Sequence, residues 1–226
     1  MAMIGLDDVG AALAALGALS TSAFGLLDAS KGLWGGVSRV GLGPLSSALA
    51  PFQPALTAAM GERRWWDLVK ANWMNAMPKT DQKVVVRSLI KLGLNVDTAP
   101  SLAAALKLEE ATLVEVAKKL ASGKALSEAE LNLLGRLNAI LDALLDSGFE
   151  RADQQYKNVS RLWAGVIAVG LSLGAWAIWP TATITPQPSM WFAFGIGLLA
   201  VPVAPVAKDL TSALSAAAKA LRLGKS

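Results

Sequence analysis

Residues 162–207 read LWAGVIAVGLSLGAWAIWPTATITPQPSMWFAFGIGLLAVPVAPVA and contain no charged residue. A helix needs about 20 apolar residues to cross the hydrocarbon core of a bilayer, so this stretch is long enough to cross twice. Residues 180–189, with their prolines among small polar residues, cannot continue a helix. We therefore predict a transmembrane hairpin over 162–207, with spans at 162–179 and 190–207.

Aromatic and basic residues mark the ends of these two predicted spans. Tryptophans are enriched where membrane helices meet the headgroups, and Lys and Arg are enriched on the cytoplasmic side. The positions that we predict at this interface are Trp163, Trp179, Trp191, Arg161 and Lys208.

A second uncharged stretch, residues 9–27, reads VGAALAALGALSTSAFGLL and is rich in small residues. Such a helix gains from close packing against partner helices, and Gly17 is a candidate for that contact. A cleaved signal peptide is the alternative, but Asp7 and Asp8 precede the apolar run and no Lys or Arg does. We predict that residues 1–30 form a retained N-terminal transmembrane helix.

The placement of positive charge predicts the orientation. All 21 Lys and Arg residues lie within 31–161 or 208–225. The positive-inside rule then places residues 28–161 and 208–226 in the cytoplasm and the loop 180–189 outside, together with the N-terminus. The expected location is a bacterial inner membrane.

Residues 31–78 are harder to assign, because 40–61 is also uncharged and long enough for a span. Its prolines argue against a regular helix, and a fourth span would place the basic central domain outside. We predict an interfacial or re-entrant amphipathic region, with Trp65 and Trp66 at the headgroup level. The alternative is that these tryptophans belong to the core of a soluble domain.

Residues 79–161 have the pattern of a helical cytoplasmic domain. Thr80 is a candidate helix cap and Gly93 a helix end. Ser127 and Glu130 have the spacing of a capping box and open a leucine-striped helix, which no proline interrupts before the hairpin. Four acidic residues on this helix resemble a metal or acid–base site, although a solvated helix face is the more common explanation. They are Asp142, Asp146, Glu150 and Asp153.

The remaining segment, 208–226, is amphipathic and basic. It suits an interfacial helix on anionic lipid, and contact with a partner helix is equally open. The overall prediction is an all-α integral membrane protein with about three transmembrane helices and a small helical cytoplasmic domain.

Residue types needed for common catalytic sites are missing. The chain has no His and no Cys, which removes the commonest general base and the thiolate metal ligands. Gly170-Leu-Ser-Leu-Gly174 matches the G-x-S-x-G nucleophile pattern, but no His is present to activate Ser172. Gly170 and Gly174 fit the G-x-x-x-G pattern of helix packing better. We predict no catalytic, cofactor or metal site.

The net charge of +4 and pI of about 9.4 suggest nucleic acid as one partner class. Excess Lys and Arg on the cytoplasmic side of a membrane protein explains the same charge. We therefore expect membrane lipid, other membrane proteins or a second copy as partners, and no nucleic acid.

Three stretches resemble a group of uncharacterised bacterial inner-membrane proteins. They are residues 6–33 (LDDVGAALAALGALSTSAFGLLDASKGL), 149–171 (FERADQQYKNVSRLWAGVIAVGL) and 197–225 (GLLAVPVAPVAKDLTSALSAAAKALRLGK). That group has an N-terminal span, a helical cytoplasmic domain and a two-span hairpin that ends in an APFWFDLL-like motif. The matching positions are Phe149, Arg151, Tyr156, Lys157, Ala204, Pro205, Asp209 and Leu210. Val206-Ala207-Lys208 replaces the aromatic pair of the motif. The resemblance implies the topology and no activity.

Three functional hypotheses follow. The first is a non-enzymatic membrane component that anchors, scaffolds or assembles with other proteins. The second is an oligomerising, membrane-perturbing or pore-forming protein such as a toxin or defence effector, suggested by residues 40–61 and the weakly apolar first span. The third is an intramembrane enzyme using Ser172, Asp28 or Asp209.

Overall fold

A computed structural model describes residues 6–34, 36–178 and 188–202. Every regular element in these ranges is helical, which confirms the all-α class. The α-helices are α1 Leu6–Trp34, α2 Leu42–Leu49, α3 Gln53–Met60, α4 Arg64–Met74, α5 Lys79–Leu92, α6 Ala99–Leu106, α7 Glu110–Ala121, α8 Glu128–Ala177 and α9 Met190–Pro202. Short 3₁₀ helices span Gly36–Gly41 and Ala50–Phe52.

The helices form two units. The inserted unit is Ser38–Lys157, and the split unit consists of the described residues of 1–37 and 158–226. Helix α8 begins in the inserted unit and ends in the split unit, and its 50 residues make it about 75 Å long. The predicted boundary between residues 78 and 79 is not a unit boundary, because 38–78 packs with 79–157.

The inserted unit has the large apolar core of an ordinary globular domain. Its fully buried side chains include Leu45, Leu49, Phe52, Leu56, Ile90, Leu102, Leu106, Leu113, Leu141, Leu145 and Phe149. Burial of each such side chain contributes roughly 1.5–3 kcal/mol. The unit therefore has its own source of stability in water.

Residues 40–61 supply part of that core. Leu45 and Leu56 are fully buried, so these side chains are not available to lipid. Pro51 and Pro54 stand in the first turns of their helices, where a missing N–H is harmless. The prolines thus begin short helices, and the structure favours the core alternative over a re-entrant segment.

The limits of the middle helices follow local rules with one exception. Gly93 ends α5 as predicted. Pro78 holds the N-cap position of that helix, so the predicted cap at Thr80 is wrong. The Thr80 hydroxyl instead contacts Asp81 Oδ1 at 3.4 Å. A proline at the N-cap fixes the turn that starts the helix without a side-chain cap.

The predicted capping box at the start of α8 is confirmed. Ser127 donates from its backbone N and its Oγ to Glu130 Oε2, at 2.7 and 2.9 Å. Lys119 of α7 donates to both carboxylate oxygens, at 2.7 and 2.9 Å. These hydrogen bonds, first from Lys119 and then from Ser127, lower the pKa of Glu130 to about 2. One carboxylate therefore joins α7 to the first turn of α8.

Acid is expected to weaken this junction. The pKa of Glu130 is about 2 in the fold against an ordinary value of 4.5. Its stabilising effect is therefore complete above pH 4.5 and is lost as the pH falls towards 2. The melting temperature of wild type should fall more steeply over this window than that of Glu130→Gln, as followed by circular dichroism. Glu128→Gln, an exposed change in the same turn, should retain the wild-type slope.

An ion-pair ladder connects α5 to α8 within the inserted unit. Lys79 pairs with Glu150 at 2.8 Å and with Asp153 at 2.7 Å. Lys83 pairs with Asp146, and Arg87 pairs with Asp142 at 3.0 Å. The pKa of Lys79 is raised by its hydrogen bonds to Asp153 and Glu150. Spacings of three to four residues on both antiparallel helices produce this register.

The ladder accounts for the four acidic residues that resembled a site. Burial by itself would raise the pKa of Asp153, but hydrogen bonds from Lys157 and Lys79 outweigh it and lower the pKa. Within the described ranges, no group of three or more acidic side chains has a geometry that could hold a metal ion. The four carboxylates each face a cation on the surface.

Reversing one rung of the ladder should test its register. Lys83→Glu and Asp146→Lys should each lower the unfolding free energy, and the double variant should recover most of the loss. Because both side chains are partly exposed, the coupling should stay below about 1 kcal/mol. Denaturant unfolding of the four proteins gives this value, and zero coupling would mean that the pair contributes nothing.

Candidate lipid-facing surface of the split unit

Most of the buried side chains in the described part of the split unit are small. Its buried residues are Ser20, Ala23, Leu27, Val37, Ser160, Ala164, Ala168, Ser172, Ala193, Gly197 and Ala200. Ala23 of α1, Ala168 of α8 and Ala200 of α9 meet in one cluster. Small residues let helices approach closely, which agrees with the meeting of these three helices at alanines.

Four larger side chains, Leu16, Leu19, Ile167 and Val201, pack partly buried against this cluster, but twelve large apolar side chains of the same unit are exposed. These twelve are Phe24, Leu26, Leu162, Trp163, Val166, Ile178, Met190, Trp191, Phe192, Phe194, Leu198 and Leu199. Trp191 is 75% exposed and Ile178 is 83% exposed. Many large exposed apolar side chains in one unit are typical of a membrane or protein contact.

The two units thus distribute residue size in opposite ways. The inserted unit mainly buries Leu, Ile and Phe and has the ion-pair ladder on its surface. The split unit mainly buries Ala, Ser and Gly and exposes Leu, Phe and Trp. In water the arrangement in the split unit would be unfavourable, because large apolar side chains would lose the stabilisation that burial provides. In lipid it is favourable, because the tails solvate the large side chains and helices associate through small ones.

Two hydrogen bonds join α8 to the α9 region. Ser172 Oγ donates to the carbonyl oxygen of Ala193 at 2.7 Å and is buried. Trp176 Nε1 donates to the carbonyl oxygen of Pro188 at 2.7 Å. The hydroxyl in the G-x-S-x-G pattern is therefore engaged in a contact between helices. Asp28 is exposed on α1, and Asp209 lies outside the described residues.

The close approach of α8 and α9 occurs at a glycine that the sequence patterns did not indicate. A Cβ at Gly197 would lie 2.6 Å from Val169 Cα and 3.0 Å from Val169 N. Gly170 and Gly174 are exposed, and a Cβ at either would meet no described atom within 4 Å. The predicted G-x-x-x-G face therefore packs against no described helix of this chain. Gly17 is half-buried, and its carbonyl accepts from Thr21 Oγ1 at 2.8 Å.

Alanine at Gly197 is expected to push α9 away from α8. The neighbour is backbone, which cannot rotate aside, and overpacking of this kind costs roughly 1–3 kcal/mol. Gly195→Ala is the matched control, since a Cβ there meets nothing within 4 Å. Thermal stability of the detergent-solubilised protein should fall for Gly197→Ala alone. Equal behaviour of the two variants would contradict the close approach.

The predicted interface residues are divided between the split unit, the inserted unit and the residues that are not described. Arg161 and the half-exposed Trp163 lie on α8, and Trp191 lies at the start of α9, all in the split unit. Trp179 and Lys208 lie outside the described residues. Trp65 and Trp66 belong to the inserted unit, where Trp65 is only 7% exposed. Trp65 is thus a core residue of that unit.

The N-terminal end of α4 forms an open pocket of about 390 Å³ in the inserted unit. Trp65 and Trp66 line it with their rings in an edge-to-face contact, 5.7 Å between centroids. Glu62, Arg63 and Asp67 contribute both signs of charge to its rim. Because the lining carries both signs of charge, it favours neither an anionic nor a cationic ligand.

One described helix, α8, is long and apolar enough to cross a membrane. Only 22% of its most apolar 18-residue window is buried, unlike a core helix of a soluble protein. Helix α9 is apolar but shorter. Over the described residues, length and composition therefore support one spanning helix.

Comparison with known proteins gives no match to a family model, a characterised protein or a solved structure. Function is therefore inferred from the chain's own residues and their arrangement.

Proposed function

We propose that this protein is a non-enzymatic membrane component that anchors, scaffolds or assembles with other proteins. The split unit is its membrane part, and the inserted unit is its cytoplasmic part. The observation that carries the proposal is the exposure of twelve large apolar side chains around a mainly small-residue interior in the described part of the split unit.

The orientation in this proposal rests on charge. No Lys or Arg precedes residue 31, and none lies between residues 161 and 208. Positive-inside placement then puts the inserted unit in the cytoplasm of a bacterial cell, with the N-terminus and the 180–189 loop outside. Residues 9–27, 162–179 and 190–207 are the three proposed crossings.

A scaffolding role agrees with how the chemically interesting groups are used. The Ser172 hydroxyl is bound to a backbone carbonyl, and the acidic residues of α8 face Lys and Arg of α5. These groups hold helices together. The partners expected are membrane lipid together with other membrane proteins or a second copy.

Membrane extraction tests the first half of the proposal. We expect the full chain to remain in the membrane pellet after alkaline carbonate washing and to dissolve only in detergent. Release into the carbonate supernatant would show a peripheral protein and overturn the membrane assignment.

The mass and composition of the particle in mild detergent test the second half. A particle that contains other proteins supports the anchoring and scaffolding role. A homo-oligomer alone would favour the pore-forming alternative and call for ion-flux measurements in vesicles. A lone monomer would contradict both assembly proposals.

One of the two sequence features that suggested a pore-forming protein no longer supports it. The proline-interrupted residues 40–61 suggested it, but Leu45, Leu49, Phe52 and Leu56 of this segment are buried in the core of the inserted unit. Within the described residues, no feature favours this alternative over scaffolding.

A further inference from the structure

Trp73 contacts both places where the chain passes into and out of the inserted unit. This unit begins at Ser38 and ends at Lys157. The indole Nε1 of Trp73 donates to the Ser38 carbonyl oxygen at 2.8 Å. The same ring meets the Tyr156 ring edge to face, 6.3 Å between centroids and at 84°.

The packing around this indole is close. Gly41 is buried, and a Cβ there would lie 2.8 Å from Trp73 Cε2. Only a residue without a side chain lets the 3₁₀ turn Gly36–Gly41 lie against the ring. Ser38 itself is buried, so its carbonyl needs a partner inside the protein.

Ion pairs also hold residues 150–157, where the chain leaves the inserted unit, close to Trp73. Lys79, six residues after Trp73, binds Glu150 and Asp153. Lys157 binds Asp153 at 2.8 Å from within α8. The last turns of α8 inside the unit are therefore fixed to the beginning of α5 as well as to α4.

We propose that Trp73 is a clamp between two segments of the inserted unit, the incoming segment 38–41 and the outgoing segment 150–157. The clamp fixes these segments to each other and to α4. With the clamp closed, neither segment moves without moving α4. That helix also carries Trp65 and Trp66, which line the pocket at its other end. The clamp is thus a conformational device that passes a displacement of either segment to the surface of the inserted unit.

Spin labels test the clamp in the full chain. The sequence has no cysteine, so Arg39→Cys and Gln155→Cys place two labels at exposed sites beside the two segments without background labelling. The distance distribution should be narrow with Trp73 present and should broaden to longer distances in Trp73→Ala. Trp66→Ala removes a partly buried indole from the same helix and should leave the distribution narrow.

A subtler variant covers the case in which Trp73→Ala does not fold. Trp73→Phe keeps a ring against Tyr156 but removes the donor to Ser38. Amide exchange in residues 38–41 should then increase about tenfold, the effect of losing one net hydrogen bond. A narrow distance distribution in folded Trp73→Ala, or unchanged exchange in Trp73→Phe, would overturn the clamp.

Discussion

Lysine at Gly170 is expected to lower the fraction of protein that inserts into the membrane, whereas lysine at Gly135 is expected to be tolerated. Both glycines are exposed on the same helix, α8, and a Cβ at either meets nothing within 4 Å. The two variants therefore differ only in the surroundings of the new ammonium group. Gly170 lies near the middle of the proposed span 162–179, and Gly135 lies in the inserted unit.

The expected difference comes from the solvent around the two positions. A lysine at the centre of a spanning helix costs roughly 2.5–3.5 kcal/mol on the insertion scale. At Gly135 the same change improves helix propensity and should raise stability slightly. The fraction of protein in carbonate-washed membranes measures insertion. Equal fractions for the two variants would contradict a position of residue 170 at the lipid-facing centre of a spanning helix.

A third variant separates lipid from a protein partner at the same position. Gly170→Leu adds an apolar side chain that lipid accepts but a closely packed partner helix does not. Unchanged particle mass in detergent would place lipid on this face. Loss of a partner from the particle would give the G-x-x-x-G pattern its predicted packing role between proteins.

Alanine at Gly93 is expected to destabilise the inserted unit strongly. A Cβ there would overlap the carbonyl group of Ala55, because α3 and α5 are in close contact at this point. The backbone angles of Gly93, φ −83° and ψ 1°, suit any residue, so the cost is purely steric. We expect a loss near the upper end of the roughly 1–3 kcal/mol typical of overpacking.

Denaturant unfolding of the full chain measures this loss. Gly135→Ala is the control, since it removes a helical glycine in open space and should stabilise α8 by about 0.5–1 kcal/mol. A Gly93→Ala protein as stable as wild type would show that α3 and α5 are farther apart than the structure has them.

Local rules predicted the parts of this fold that neighbouring residues determine. Ser127 and Glu130 predicted the start of α8, and Gly93 predicted the end of α5. Proline-free sequence after Ser127 predicted that α8 runs unbroken to Ala177. In each case residues a few positions apart supply the hydrogen bond or the helix break, so their spacing is sufficient evidence.

The sequence patterns did not predict the features that depend on contacts between residues far apart in the chain. Trp65 looked like an interface residue because an amphipathic segment has the same pattern against lipid and against a protein core. Its burial depends on helices distant in sequence. Gly197 becomes a packing residue only because Val169 lies opposite, whereas the better-known spacing at Gly170 and Gly174 faces outwards.

The split unit imposes a waiting time during synthesis. Ala23 of α1 is synthesised 145 residues before Ala168 of α8 and 177 residues before Ala200 of α9, the two residues that it meets in the folded unit. At about 5–20 residues per second, that interval is roughly 7–35 s. The nascent chain therefore holds a weakly apolar first helix without its partners while the intervening domain folds. Assembly of the split unit therefore has to wait until α8 and α9 have been synthesised.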